Sequence, residues 1–248
     1  MKVRIKFSKH GVLKYIGHLD VMRYFQRAFR RANIDIKYSA GFSPHQIMSF
    51  AAPLGVGLES EGEYMDVELL SFPSSHDLIW ALNEQMAEGI EIHNAVLLPD
   101  GTGNAMASVT AAGYYIDFRD GFLPPKGWEE AIRDFMAQEE ILYLKKTEKT
   151  EREINLKEYI FDFRLSSHAE KDCLYLMVDA SSSGNIKPAM VMEKMYEFLG
   201  GYAFDSFNLL ITREDTYLNR GTKEAPDFAP LDQIGITVEE ESDQTNES

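Results

Sequence analysis

The sequence predicts an α+β protein made of two tandem ferredoxin-like (βαββαβ) halves, the second degenerate. Three observations carry that expectation. Hydrophobic periodicity switches between two and about 3.6 residues in the order strand, helix, strand, strand, helix, strand over residues 1–98. A Gly- and Pro-containing break, Pro99-Asp-Gly-Thr-Gly-Asn104, follows that set. A looser version of the same order then runs to about residue 220. The expected organisation is a first domain over 1–98, a linker over 99–107, a second domain over 108–220 and an irregular acidic tail over 221–248.

Taken in order, Lys2–Phe7 alternates charged and apolar residues, with Val3, Ile5 and Phe7 on one face of a half-exposed strand. A loop at 8–11 leads through Val12–Ile16 to an amphipathic helix that starts at Gly17. Leu19, Met22, Phe25, Phe29 and Ala32 supply its apolar stripe at helical spacing. Gly17 is an acceptable N-cap, and the Asp20 carboxylate meets the positive end of the helix dipole. Ile34–Tyr38 alternates as a strand, Ser39–His45 is a turn-rich loop, and Ile47–Ala52 and Glu63–Leu69 are further strands. Ser75 caps a helix to Met86, and Ile90–Leu98 closes the half as a strand. In the second half, strands are expected at 112–118, 141–145, 173–179 and 207–213, with 153–157 and 160–165 as short strands or a turn and a strand. Helices are expected at 127–138 and 188–199.

Composition narrows the class. With 44% apolar residues in 248, the chain buries a sizeable interior, and global disorder is excluded. No run approaches the length of a membrane span, and the N-terminus alternates where a signal peptide would be continuously apolar. A cytoplasmic protein with no membrane association is expected. Cys173 is the single cysteine, so an internal disulfide and a cysteine-held iron–sulfur cluster are excluded. Cys173 itself fits a small buried hydrophobe in a strand. No His/Cys/Asp pattern has zinc spacing, and no metal or cofactor is expected. Net charge is −15, yet residues 1–40 hold ten Lys or Arg against two acids, a balance of +8 that leaves −23 for the rest. A basic segment on an acidic background points to one directed surface.

That surface is the outer face of the first helix. Arg23, Arg27, Arg30 and Arg31 lie at offsets of four, seven and eight, so their guanidinium groups are neighbours on the helix; Lys37 follows. Arg forks two hydrogen bonds to a phosphate or carboxylate, which fits RNA, a nucleotide or an acidic protein. His18, Asp20 and His45 are the candidate proton-transfer residues. His18 and Asp20 are two apart and point in different directions; His18, His45 and the arginine stripe line one cleft if the 39–45 loop folds over the helix start. Glu59, Glu61 and Glu63 alternate and read as a solvated hairpin. Ser181–Asn185 reads as a polar connector.

Three runs then carry a family resemblance: F-S-K-x-G-x-L-x-Y-I-G-H-L-D-x-M-R-x-F-x-R-A-x-R-R-A (7–32), Y-S-x-G-F-S-P-H (38–45) and L-G-V-G-L-E-S-E-G-E (54–63). The chain resembles the bacterial radical-SAM-linked proteins that carry the DUF2344 domain. The match is dense over about residues 1–70, with R-E-I-N-L at 152–156 helping beyond. One departure is Gly17, where the family usually has Ser. The resemblance implies a protein that works with a separate radical S-adenosylmethionine enzyme, in a setting of RNA-processing and ribosomal genes. Any iron–sulfur cluster then belongs to that partner. Three functions stay open: a non-catalytic RNA-binding or substrate-presenting accessory protein, an adaptor for an acidic protein, and an RNA-processing or RNA-modifying enzyme.

Overall fold

The structure is a computed structural model and describes residues 1–122, 127–146, 151–201 and 203–239. It is α+β, and the chain divides into two compact units. The first holds residues 1–108 together with 229–239, and the second holds 109–228.

In the first unit, β1 (Lys2–Lys9), β2 (Met48–Phe50), β3 (Glu59–Glu68) and β4 (Ile90–Leu97) form an antiparallel sheet in the order β4-β1-β3-β2. Helices α1 (His18–Arg31) and α2 (Ser75–Asn83) supply its apolar cover. Alternation puts Val3, Ile5 and Phe7 of β1 into one core with Phe25 and Phe29 of α1 and Leu78 and Leu82 of α2. The Phe7 and Phe25 rings meet edge to face at 4.8 Å. The buried stripe of α1 is Val21, Phe25, Ala28 and Phe29. Leu19, expected in that stripe, is exposed, because the register is set by Phe25 and Phe29 and turns Leu19 to solvent. The cap of α2 is Ser74, whose Oγ accepts from the Asp77 amide at 3.0 Å. Ser75, expected in that role, accepts instead from the Val238 amide at 2.9 Å. Residues 34–38 make two isolated bridges, Ile36 to Leu69 and Tyr38 to Gln46, instead of a strand.

The opposite face of β1 and β3 is polar in sequence and nonetheless buried. Arg4, opposite Asp66 in register, is 0% exposed and donates from Nε and Nη2 to both carboxylate oxygens, at 2.7 and 3.0 Å. Its Nη1 donates to the Leu231 carbonyl at 2.9 Å. Asp232 accepts from Asn94 at 2.7 Å, and Ile236 pairs with Leu97. The expectation of an irregular tail from residue 221 is therefore corrected for 229–239. That segment covers the second face of the first sheet, because Arg4 and Asn94 offer donors that its carbonyl and carboxylate oxygens satisfy. Residues 240–248 lie outside the described residues. The expected linker also carries structure: Lys2 Nζ donates to the Thr102 and Gly103 carbonyls, and Ala105–Ser108 forms a single helical turn, α3.

The second unit pairs β5 (Ala111–Phe118), β8 (Ile160–His168), β9 (Lys171–Asp179) and β10 (Leu209–Asn219) in the antiparallel order β10-β5-β9-β8. Helices α4 (Trp128–Ala137) and α5 (Pro188–Phe198) bury Ile132, Phe135, Val191, Met192 and Met195. A separate antiparallel pair, β6 (Leu142–Lys146) with β7 (Glu151–Asn155), lies between α4 and β8 in sequence.

Candidate functional site

Helix α1 carries both sets of sequence candidates. Its outward face holds Arg23, Arg27, Arg30 and Arg31, all exposed. The only acid on the helix is Asp20, whose Oδ1 lies 3.4 Å from Arg23 Nη1, with both side chains mostly in solvent. Arg30 donates from Nε to the Gln26 carbonyl, one turn back, at 3.2 Å. Arg31 swings to the end of α2 and donates to the side chain and carbonyl of Gln85 at 3.2 and 2.9 Å. These partners are neutral, so the face keeps its positive charge. Lys37 departs from the expected group: it donates to Glu68 at 2.6 Å, and its charge is matched locally.

The Ser39–His45 loop does not close over the helix start. It is a pinched hairpin, bridged at Tyr38 and Gln46 and tied by the Ser39 amide donating to the His45 carbonyl at 2.8 Å. The Ser39 hydroxyl and His45 Nδ1 lie 2.9 Å apart. Its root reaches the middle of α1, where Gln46 Nε2 donates to the Gln26 carbonyl at 3.3 Å. His45 is thus engaged within its own hairpin, and Asp20 is exposed beside Arg23. Among the described residues, neither makes a hydrogen bond, ion pair or ring contact with His18 or with the other.

His18 is placed differently. Its ring stands edge-on to Phe50 at 5.1 Å and lines a cavity of about 20 Å³ with Lys9, Glu63, Pro53 and Leu54. Lys9 is 2% exposed and Glu63 6%. Glu63 lies directly opposite Phe7 across the β1–β3 pair, and a bulge between Phe7 and Lys9 shifts the register there. Sequence reasoning missed Lys9 and misassigned Glu63 to a solvated hairpin. The signal was present in the F-S-K, G-H-L-D and E-S-E-G-E runs, whose residues the fold brings together. Space of this size takes about one water molecule. Glu59, at the start of β3, is held by Lys14 Nζ at 2.8 Å and lies 3.5 Å from His10 Nδ1. Burial raises its carboxyl pKa, but the Lys14 and His10 contacts outweigh that and leave it below the usual carboxylate value.

Among the described residues, no group of three or more His, Cys, Asp or Glu side chains is arranged to hold a metal ion. Likewise, no helix among them is long and apolar enough to cross a membrane.

Fold and site together describe a two-unit α+β protein whose most distinctive surface is a guanidinium-bearing helix. The chain belongs to the DUF2344 family, described as an uncharacterized protein conserved in bacteria, whose profile matches residues 2–188. No curated protein matches the chain. It is similar to a chain in a solved structure described as the crystal structure of a Cbf5-Nop10-Gar1 complex, at 10% identity and a TM-score of 0.46. The match covers 86% of this chain and 48% of that one, so this chain spans about half of its length. A likeness so distant bears on neither function nor partners.

Proposed function

We propose that this protein is a non-catalytic accessory module that grips single-stranded RNA by its phosphates along α1 and presents it to a separate enzyme. The observation that carries the reading is the charge of that face: four exposed guanidinium groups within nine residues, with Asp20 the one acid on the helix. Arg in that pattern suits phosphate, since each group offers a planar pair of donors and stays charged at any physiological pH. The same reading takes both units as ferredoxin-like halves, which the matching strand orders β4-β1-β3-β2 and β10-β5-β9-β8 support. A radical S-adenosylmethionine enzyme is the proposed recipient, on the strength of the motif resemblance in residues 7–63.

Ultraviolet crosslinking of the protein in cells, followed by sequencing of what is attached, tests the reading. RNA fragments crosslinked to the wild-type chain and lost from an Arg27→Glu/Arg30→Glu variant are the expected result. Recovery of an acidic protein and no RNA overturns it in favour of an adaptor.

A further inference from the structure

We infer that the Tyr38–Gln46 hairpin is a stacking platform for an unpaired nucleic-acid base, with Phe42 and Tyr38 as the stacking rings. The inference rests on the phosphate-gripping role of α1 and adds to it the part of the ligand that phosphate contacts do not read.

The hairpin is built to hold a ring out in water. Its two sides are tied over residues 37–39 and 45–47: Ile47 N to the Lys37 carbonyl at 2.9 Å, the Tyr38–Gln46 bridge, Ser39 N to the His45 carbonyl, and the Ser39 hydroxyl against His45. The His45 amide also donates to Ser39 Oγ at 3.1 Å. Gly41, at φ +111°, adopts a backbone conformation open to glycine and strained for other residues, and so turns the tip. Beyond these ties stands Phe42, whose side chain is wholly exposed, at 110% of its reference area. Tyr38, at the root, is 47% exposed.

A fully hydrated phenyl ring contributes nothing to folding, and the hydrogen-bonded base at Ser39 and His45 restricts the short loop that carries it. Preorganisation of that kind lowers the entropy lost on binding. The position of the hairpin decides what ring-bearing ligand suits it. Gln46 bonds the Gln26 carbonyl, and Arg30 bonds the same oxygen, so the hairpin root and the arginine face meet at one atom. Gln46 Nε2 also lies 3.4 Å from the Tyr38 hydroxyl, which places Tyr38 in the same small network. Gln46 is buried, and its Oε1 is enclosed without a hydrogen-bond partner, so at this junction the side chain serves to tie the hairpin to the helix and not to touch a ligand. A chain of anionic phosphates carrying flat, apolar-faced rings complements cations flanked by exposed aromatic side chains. Single-stranded RNA has that chemistry, and base–aromatic stacking is tolerant of sequence because every base presents a π face.

The test uses the full chain and two probes of equal length, a labelled ten-nucleotide single-stranded RNA and a labelled abasic phosphodiester chain, read by fluorescence anisotropy. Wild type is expected to bind the RNA about tenfold or more tightly than the abasic chain. Phe42→Ala should lower RNA affinity about fivefold or more, leaving only the preference that Tyr38 supports, and leave abasic affinity unchanged, with the fold intact because the ring is wholly exposed. Phe42→Trp should keep RNA affinity, and its emission should be quenched as RNA is added. Equal affinity of wild type and Phe42→Ala for RNA overturns the stacking inference while leaving the phosphate role of α1 standing. Absence of binding to both probes overturns that role and the inference with it. An acidic protein partner lost on Phe42→Ala, with no RNA binding by wild type, also overturns both.

Discussion

Replacing Asp66 by Ala tests the least expected packing decision in the first unit. Arg4 is fully buried and its guanidinium is consumed by three bonds: two to Asp66 and one to the Leu231 carbonyl. Lys2 Nζ stands 3.6 Å from Asp66 Oδ2, but its side chain keeps 30% of its surface in water and need not follow Arg4 inside. Removing the carboxylate leaves a guanidinium at zero exposure with one neutral acceptor. Breaking a buried pair in this way costs about 3–5 kcal/mol, roughly a fifth or more of the stability of an ordinary domain. Replacing both partners, Arg4→Met with Asp66→Leu, removes the charge as well as its counter-ion and should recover most of the loss. Native-state hydrogen exchange of the β1 amides reads the first unit alone, and urea unfolding followed by circular dichroism gives the whole chain. A loss below about 1 kcal/mol for Asp66→Ala, the size of a surface pair, would show that the Arg4–Asp66 clamp is not what seals this face.

Two further outcomes follow from the titrating groups. Glu59 is held below its usual pKa despite burial, so its contribution to stability is present above the unfolded carboxylate value and disappears as pH falls through the folded one. Denaturation midpoints of wild type should therefore fall between about pH 5 and pH 3 more steeply than those of Glu59→Gln, and parallel curves would contradict the Lys14–Glu59 anchor. Cys173 is buried in β9, and burial, with help from Asp117 and Asp172, raises its thiol pKa. The native thiol should react with a disulfide reagent at pH 8 far more slowly than the unfolded chain does, and stability should decline as pH rises past the unfolded thiol value. Rapid stoichiometric labelling of the native protein would refute that placement.

Much of the first unit was legible because its strands alternate and its helices repeat. Val3, Ile5 and Phe7 announced a buried face, and Phe25 and Phe29 a buried stripe. What escaped was whatever depends on partners distant in sequence. The charged face of β1 reads as solvent-facing until a segment 227 residues away covers Arg4. The same holds for Glu63, an acid in an acidic run that the β1–β3 register carries beside Phe7, in the cavity shared with Lys9 and His18. The arginine face was legible from spacing alone, since offsets of four and seven place side chains together on any helix. The loss of Lys37 from that group was not, because Glu68 reaches it across the fold.

The salt dependence of RNA binding tests the central claim most directly. Arg27→Glu/Arg30→Glu changes two exposed positions and leaves Phe25 and Phe29 in place, so the fold should shift by no more than about 0.5 kcal/mol. If α1 meets about three phosphates of a single strand, log K should fall with log salt at a slope of about −2, roughly a twentyfold loss between 50 and 200 mM. The variant is predicted to lose most of both affinity and slope. Equal affinities and equal slopes for wild type and variant would contradict the account, and would make the arginine face of α1 an ordinary solvated surface.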